Sequence, residues 1–271
     1  LDRFLVQTEP KGSNVIIPSL SLDDLQGSAR RRRKERRMRG LFLAAAAVSV
    51  VISGLILFTL LQGSVRFLAE IDWNRLFGEG GTAPGWFPRR DRFDLRTILY
   101  GTLLMSSVAM VVAVPLGLGT AAYLSEYASP RVRRVVKPVI EVLAGIPSVV
   151  VGFFALYFLA PNFVSKVFDP DQLKNQLAAG LGIGILVIPI MASVSEDALA
   201  AVPGSLREAS YGVGGTKVST VLKVVFPASV SGIVAAFIIA TSRAIGETMV
   251  ATMVGGSDGT GTRTVNPLDP G

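Results

Sequence analysis

The sequence predicts an all-α fold, a polytopic transmembrane helical bundle, and three observations predict it. Half of the 271 residues are hydrophobic and only 17% are charged, where a soluble domain carries about a quarter charged residues. The apolar residues cluster into five long stretches without Asp, Glu, Lys or Arg. The Lys and Arg residues between those stretches concentrate on alternate sides.

Taken in chain order, the uncharged stretches are Leu41–Leu61 (21 residues), Thr97–Ser125 (29), Val142–Ser165 (24), Asn175–Ser195 (21) and Val224–Ser242 (19). About 20 residues at roughly 1.5 Å rise cross the hydrocarbon layer, so each is predicted to be a span. The last is predicted to continue past Arg243 and Glu247 to about Gly255. The first is too long for a secretory leader, and 40 residues precede it.

Orientation follows from the loops. Eight basic residues lie in Arg30–Arg39, four in 125–138 and three in 203–226, fifteen on one side; 62–96, 161–174 and 255–271 hold nine on the other. The fifteen are predicted to face the cytoplasm, so the N-terminus is cytoplasmic. The net charge of +7 then reports topology and contact with anionic membrane lipid, not nucleic acid. Residues 1–29 read as a polar cytoplasmic tail with no regular pattern. The chain begins at Leu1 rather than Met, and its Gly-, Thr- and Pro-rich end (Gly255–Gly271) lies outside. Five spans with an outward end would be complete for some permeases; the expectation favoured here is that a sixth span is cut off.

There is no Cys and no His. Disulfides, thiol catalysis, Ser-His-Asp chemistry and His/Cys metal sites are therefore excluded, and neither a metal nor another cofactor is expected. No Gly-x-x-x-x-Gly-Lys-Ser/Thr loop occurs either, so the chain is not expected to be an enzyme that hydrolyses ATP.

Residues 203–227 are the most informative stretch. Pro203 suits the first position of a short helix, and Leu206, Ala209 and Ser210 share one face. The Gly212–Gly215 cluster stops it. Thr216 can cap a second helix whose apolar face is Val218, Val221, Leu222 and Val225, and Pro227 starts the next span. The element is too short and polar to cross a bilayer, and is suited to docking into a partner's groove.

The spacing resembles the Glu-Ala-Ala loop of ABC importer permeases, the inner-membrane components of binding-protein-dependent transport systems. Glu208, Ala209, Gly214 and Pro227 fall at the expected offsets. Ser210 stands for the second Ala, Val224 for Ile and Phe226 for Leu. The resemblance implies a coupling helix that seats in an ABC ATPase subunit.

A second stretch, Thr241–Met249, places Arg243 and Glu247 inside the last apolar run. Four residues apart, they share a helix face. A charge at membrane depth costs about 2.5–3.5 kcal/mol on insertion scales, and pairing lowers that cost. Two readings stand: a structural ion pair between helices, or a substrate pathway in which Arg243 contacts an oxyanion through its fork of donors and Glu247 positions or releases it. Glu247 would repel a free anion, which argues against tight trapping. Arg243-Ala-Ile-Gly-Glu-Thr-Met249 resembles the corresponding segment of phosphate-specific transport permeases of the PstC type. Ala144–Gly152 resembles their third-span motif. Trp86-Phe87-Pro88 ahead of Tyr100-Gly101-Thr102 resembles their outer loop and second-span entry.

That resemblance covers about 86–255. It implies a type I (MetI-like) ABC importer permease with six helices. It implies the domain order 1–40 basic tail, 41–61 first transmembrane helix, 62–96 extracytoplasmic loop and 97–271 permease core, with the coupling loop at 203–227. It also implies a pair of ABC ATPase subunits, a second permease subunit of the PstA type and an extracytoplasmic phosphate-binding protein, with Arg243, Glu247 and Thr248 on the substrate pathway. An importer for sulfate or molybdate is the near alternative. An ion-gradient-driven transporter would show inverted repeats, and no convincing internal repeat occurs. A non-transporting scaffold would need no buried Arg243. Among the remaining features, Pro115, Pro147 and Pro189 are expected to kink spans. Gly180 and Gly184 are expected to allow close helix packing, and Glu141 and Arg96 to sit at the membrane's inner and outer edges.

Overall fold

The computed structural model describes residues 29–71, 73–77, 85–90, 92–256 and 266–269. All but the last residue of the expected tail 1–29, and most of the polar end (257–265, 270–271), lie outside the described residues. The chain divides into two units, Leu1–Glu70 and Ile71–Gly271.

In the first unit, α1 (Ala29–Glu70) is one helix of 42 residues, about 63 Å long. That is twice the hydrocarbon thickness, so the uncharged Leu41–Leu61 can span while Arg33–Arg39 extends beyond it. Leu55, Ile56, Leu57 and Phe58, one on each side of the helix, are all exposed, and a helix apolar all round suits lipid.

The second unit begins with α2 (Trp73–Leu76) and a two-residue antiparallel ribbon, β1 (Trp86–Phe87) and β2 (Arg92–Phe93), with Trp86 opposite Phe93 and Phe87 opposite Arg92. The Trp86 and Phe93 rings meet edge to face at 5.7 Å. Asp94 then caps α3 (Leu95–Ala122): its carboxylate accepts from the Arg96 amide at 3.2 Å and the Thr97 hydroxyl at 2.9 Å. α3 runs on through a wide turn, Tyr123–Tyr127.

Where a loop and the start of a span were expected, the chain forms α4 (Pro130–Ala144). Ser129 caps it and Pro130 takes its first position. Basic residues line one side, Arg133 and Lys137 sit four apart, and Val135, Val139 and Val142 are exposed on the other. The third span therefore starts at Ser148, not Val142. It is α5, Ser148–Phe154, continued through a wide-turn stretch to Phe168. Pro147 caps α5 at its start rather than kinking it, because a residue with fixed φ and no N–H belongs at a helix entrance. Pro115 and Pro189 do lie inside helices.

α6 (Gln176–Ala200) is the central helix, buried along most of its length. Its free first-turn amides are all met: the Ala178 amide donates to the Asn175 side chain at 2.8 Å, Gln176 to the Asp269 carbonyl at 3.1 Å and Leu177 to the Pro267 carbonyl at 2.6 Å. Residues 266–269 thus pack on the helix rather than trail from it.

α3 and α6 run parallel in close contact. A Cβ added to Gly180 would lie 2.7 Å from Val108 Cβ, and one on Gly184 would lie 3.2 Å from the Ala109 carbonyl. The core joins Ala109, Ala113, Ala155, Ile183, Val187, Met191, Ala236, Ala240 and Val250. Small residues dominate because, without a hydrophobic driving force in lipid, association depends on close backbone approach.

Among the described residues, four helices are long and apolar enough to span, and a bent pair makes a fifth. That pair is Lys217–Ala228 and α9 (Val230–Ile245), at 72°; within its first arm, α8 is Lys217–Thr220. The expected single last span is thus broken at both ends, and α10 (Met249–Val254) is a separate short helix.

Candidate functional site: an ion pair at a helix break and a helix-turn-helix knob

α9 ends where Gly246 donates to the Ser242 carbonyl at 3.0 Å and Glu247 to Ala244 at 3.3 Å. A continuous helix would need the Met249 and Val250 amides to bond back four residues. The Glu247 carboxylate takes them instead, at 3.0 and 3.3 Å through Oε1. Its other oxygen pairs with Arg243 Nη1 at 3.1 Å. This corrects the expectation of one helix to Gly255: Arg243 and Glu247 do meet, but across a break that Glu247 itself stabilises by capping α10.

The burial of the two partners is unequal. The Glu247 side chain is 2% exposed and that of Arg243 is 40% exposed. Both Glu247 oxygens are engaged, whereas Arg243 offers further donors from a half-open position. Thr248 is exposed in the same break, and its carbonyl accepts from the Thr252 amide and hydroxyl, both at 2.9 Å. The structure therefore brings Arg243, Glu247 and Thr248 together.

The second set of predicted residues lies at the other end of α9, about 24 Å away along that helix. α7 (Gly204–Gly212) starts one residue later than expected, with Pro203 at the cap. Gly214 adopts φ +82°, a conformation glycine reaches without strain. Thr216 caps α8, accepting from the Ser219 amide at 3.3 Å. The Ser210 and Thr220 hydroxyls join the two arms at 2.8 Å. Leu206, Tyr211, Val213, Val218 and Leu222 are exposed, as are Glu208 and Ala209.

Pro227 does not start the next span; it precedes the 72° bend at Ser229. Proline has no N–H to donate to Lys223, and the Ser229 amide and hydroxyl satisfy the Val225 carbonyl at 3.0 and 2.9 Å. Glu208, Ala209 and Gly214 thus share one knob, with Pro227 at its base.

Two carboxylates escaped the sequence reading. Glu196, fully buried near the end of α6, pairs with Arg133 and with Lys137 Nζ at 2.6 Å. Lys137 also pairs with Asp197. Burial pulls the Lys137 pKa down, but the hydrogen bonds it donates to Asp197 and Glu196, with their negative charge, outweigh that and hold the ammonium above its ordinary value. Glu126, 5% exposed, pairs with Arg207 Nη2 at 2.7 Å. Glu196 directly follows the uncharged run, and no residue beside it in sequence marks it as paired. The four-residue spacing of Arg133 and Lys137, set against Val132, Val135 and Val139, was the available signal for α4 and its inward-facing cations.

Long apolar helices around a small-residue core, with an exposed helix-turn-helix knob at one end and an ion pair set in the far break, define a polytopic α-helical membrane protein of the permease type. The chain belongs to the family of binding-protein-dependent transport system inner membrane components, whose model matches residues 113–269. It is 34% identical over 233 residues to the phosphate transport system permease protein PstC of Mesorhizobium japonicum, covering 79% of this chain and 69% of that one. It is 28% identical to the probable ABC transporter permease protein YqgH of Bacillus subtilis, covering 88% and 78%. It is 40% identical over 152 residues to the phosphate transport system permease protein PstA 1 of Mycobacterium tuberculosis, covering 55% and 47%. A chain from inward-facing structures of the MetNI methionine ABC transporter aligns with TM-score 0.46 at 22% identity, over 59% of this chain and 71% of that one.

Proposed function

We propose that the chain is the PstC-type permease subunit of an ABC importer that moves inorganic phosphate across the cytoplasmic membrane, with Arg243 as the anion contact of its pathway. One observation carries the assignment of Arg243: its partner Glu247 is committed on both oxygens, two backbone amides on one and Arg243 on the other. Glu247 then holds the guanidinium in place through Nη1 and leaves its remaining donors for a ligand. Arg243 can offer an oxyanion several hydrogen bonds, while the nearby negative charge keeps binding weak enough for release. Thr248 lines the same break.

The permease has no nucleotide site of its own in this reading, is not an enzyme, and needs no cofactor. Two ABC ATPase subunits hydrolyse ATP, and one of them receives the knob carrying Glu208, Ala209 and Gly214. A PstA-type permease completes the pathway, and an extracytoplasmic phosphate-binding protein delivers substrate. The N-terminus and residues 203–227 are cytoplasmic, and 62–96 is extracytoplasmic. The similarity to named phosphate permeases over most of the chain supports phosphate as the substrate.

Transport tests this directly. Arg243→Gln is expected to lower phosphate uptake by about tenfold or more, the loss of roughly one charge-assisted contact, while the assembled complex still forms. Collapse of assembly with the partner permease would show that the ion pair is structural. Sulfate or molybdate uptake in place of phosphate would overturn the substrate.

A further inference from the structure

Two charge clusters lie at the same end of α6: one ties the docking knob to the bundle, and the other ties α4 to α6. Arg207, on α7, donates to Glu126 through Nε at 3.1 Å and Nη2 at 2.7 Å. The same guanidinium donates to the Val202 carbonyl at 2.6 Å and the Leu199 carbonyl at 2.9 Å. It is 19% exposed and Glu126 is 5% exposed. One side chain thus fastens the docking helix to the end of α3 and to the last carbonyls of α6. A turn earlier on α6, Glu196 fastens Arg133 and Lys137 of α4.

The contacts continue beyond α4. It ends at Gly145-Ile146-Pro147, after which α5 begins. A Cβ on Gly152 of α5 would stand 2.9 Å from Met253 Sδ of α10. Glu247 caps α10 and holds Arg243. The segments at which this path can flex are the Gly145–Pro147 junction, the bend at Ser229 and the break at 246–248.

We propose that Arg207 and Glu196 are positioning residues that join α7, the inner ends of α3 and α6, and α4 into one rigid lever, which carries motion of the docking helix to the Arg243 break. The inference rests on the docking reading above. Buried charge networks suit the role because removing one partner leaves an unpaired charge, so the cluster holds or fails as a unit. Lysine at position 207 could not serve equally, since it has no planar fork to bridge a carboxylate and two carbonyls.

The test uses the assembled transporter in proteoliposomes, with ATP hydrolysis, phosphate uptake and co-purification of the ATPase subunit all measured. Co-purification with the unaltered chain tests the docking reading itself; failure there sinks that reading, not the lever. Given co-purification, Arg207→Gln and Glu126→Gln are expected to retain the ATPase subunit yet lower phosphate moved per ATP by about tenfold. The double variant should be no worse than either single one, since both remove one link. Arg207→Lys should restore little. Unchanged transport per ATP, or loss of the ATPase subunit with Arg207→Gln, overturns the proposal.

A second measurement does not depend on disrupting the cluster. The chain has no Cys, so spin labels can be placed cleanly at exposed positions through Arg131→Cys, Ser205→Cys and Thr252→Cys. Between nucleotide-free and ATP-trapped states, the 131–205 distance should change by less than about 2 Å, while the 205–252 distance changes by more. A 131–205 distance that changes as much as the 205–252 distance refutes a rigid lever.

Discussion

Glu247 occupies a position where charge, backbone and break meet. Its carboxylate replaces two helix-ladder carbonyls as acceptor for the Met249 and Val250 amides and anchors Arg243. Glu247→Ala removes a cap worth about 1–2 kcal/mol and frees Arg243, whose partial exposure keeps the lost ion pair modest. The variant is expected to lower the thermal midpoint in detergent and reduce uptake at least as far as Arg243→Gln. Glu247→Gln, which retains an acceptor for the amides, should recover most of the stability and little of the uptake. Equal stability of the Ala and Gln variants would show that the cap contributes nothing. At this scale the sequence was legible wherever charge stood out against apolar neighbours, as at Arg243 and Glu247. It was silent at Glu196, whose position beside the end of an apolar run looks like any headgroup-facing carboxylate. Its two partners come from a segment 59 and more residues away.

Between elements, the α3–α6 contact is set by glycine. Gly180 brings α6 so close that a Cβ would lie 2.7 Å from Val108 Cβ and 2.9 Å from the Met105 carbonyl. Neither backbone nor a β-branched side chain gives way cheaply, so Gly180→Val is expected to destabilise the bundle by about 1–3 kcal/mol or more. Gly204→Ala, where a Cβ meets nothing within 4 Å, serves as the control. Thermal unfolding of purified protein reads the difference, and indistinguishable midpoints would contradict the packing account. Gly180 and Gly184 were readable as a close-packing pair from their spacing. α4 was not read, because its basic residues were counted for orientation while its valines were assigned to a loop and the next span. The break after α9 was also hidden. Hydropathy runs on through Ile245 and Met249, and only local hydrogen bonding by Glu247 shows that the helix stops.

At the scale of the whole molecule, α3, α5, α6 and α9 meet in a core of small residues, and the candidate residues fall at the two ends of α9. Composition and the periodic loss of charge made the membrane bundle legible. The helix-turn-helix at 203–227 was legible from glycine, capping and apolar spacing together. The pairs on which the proposed mechanical connection depends were not, because they join residues far apart in sequence, such as Glu126 with Arg207 and Glu196 with Arg133. Glu208, exposed on the knob, tests the connection at its source. ATP-driven phosphate uptake should be compared between the unaltered chain and Glu208→Lys, reconstituted with the ATPase subunits, the partner permease and the binding protein, at matched membrane insertion. The account predicts a loss of about tenfold or more; uptake at the unaltered rate would contradict it.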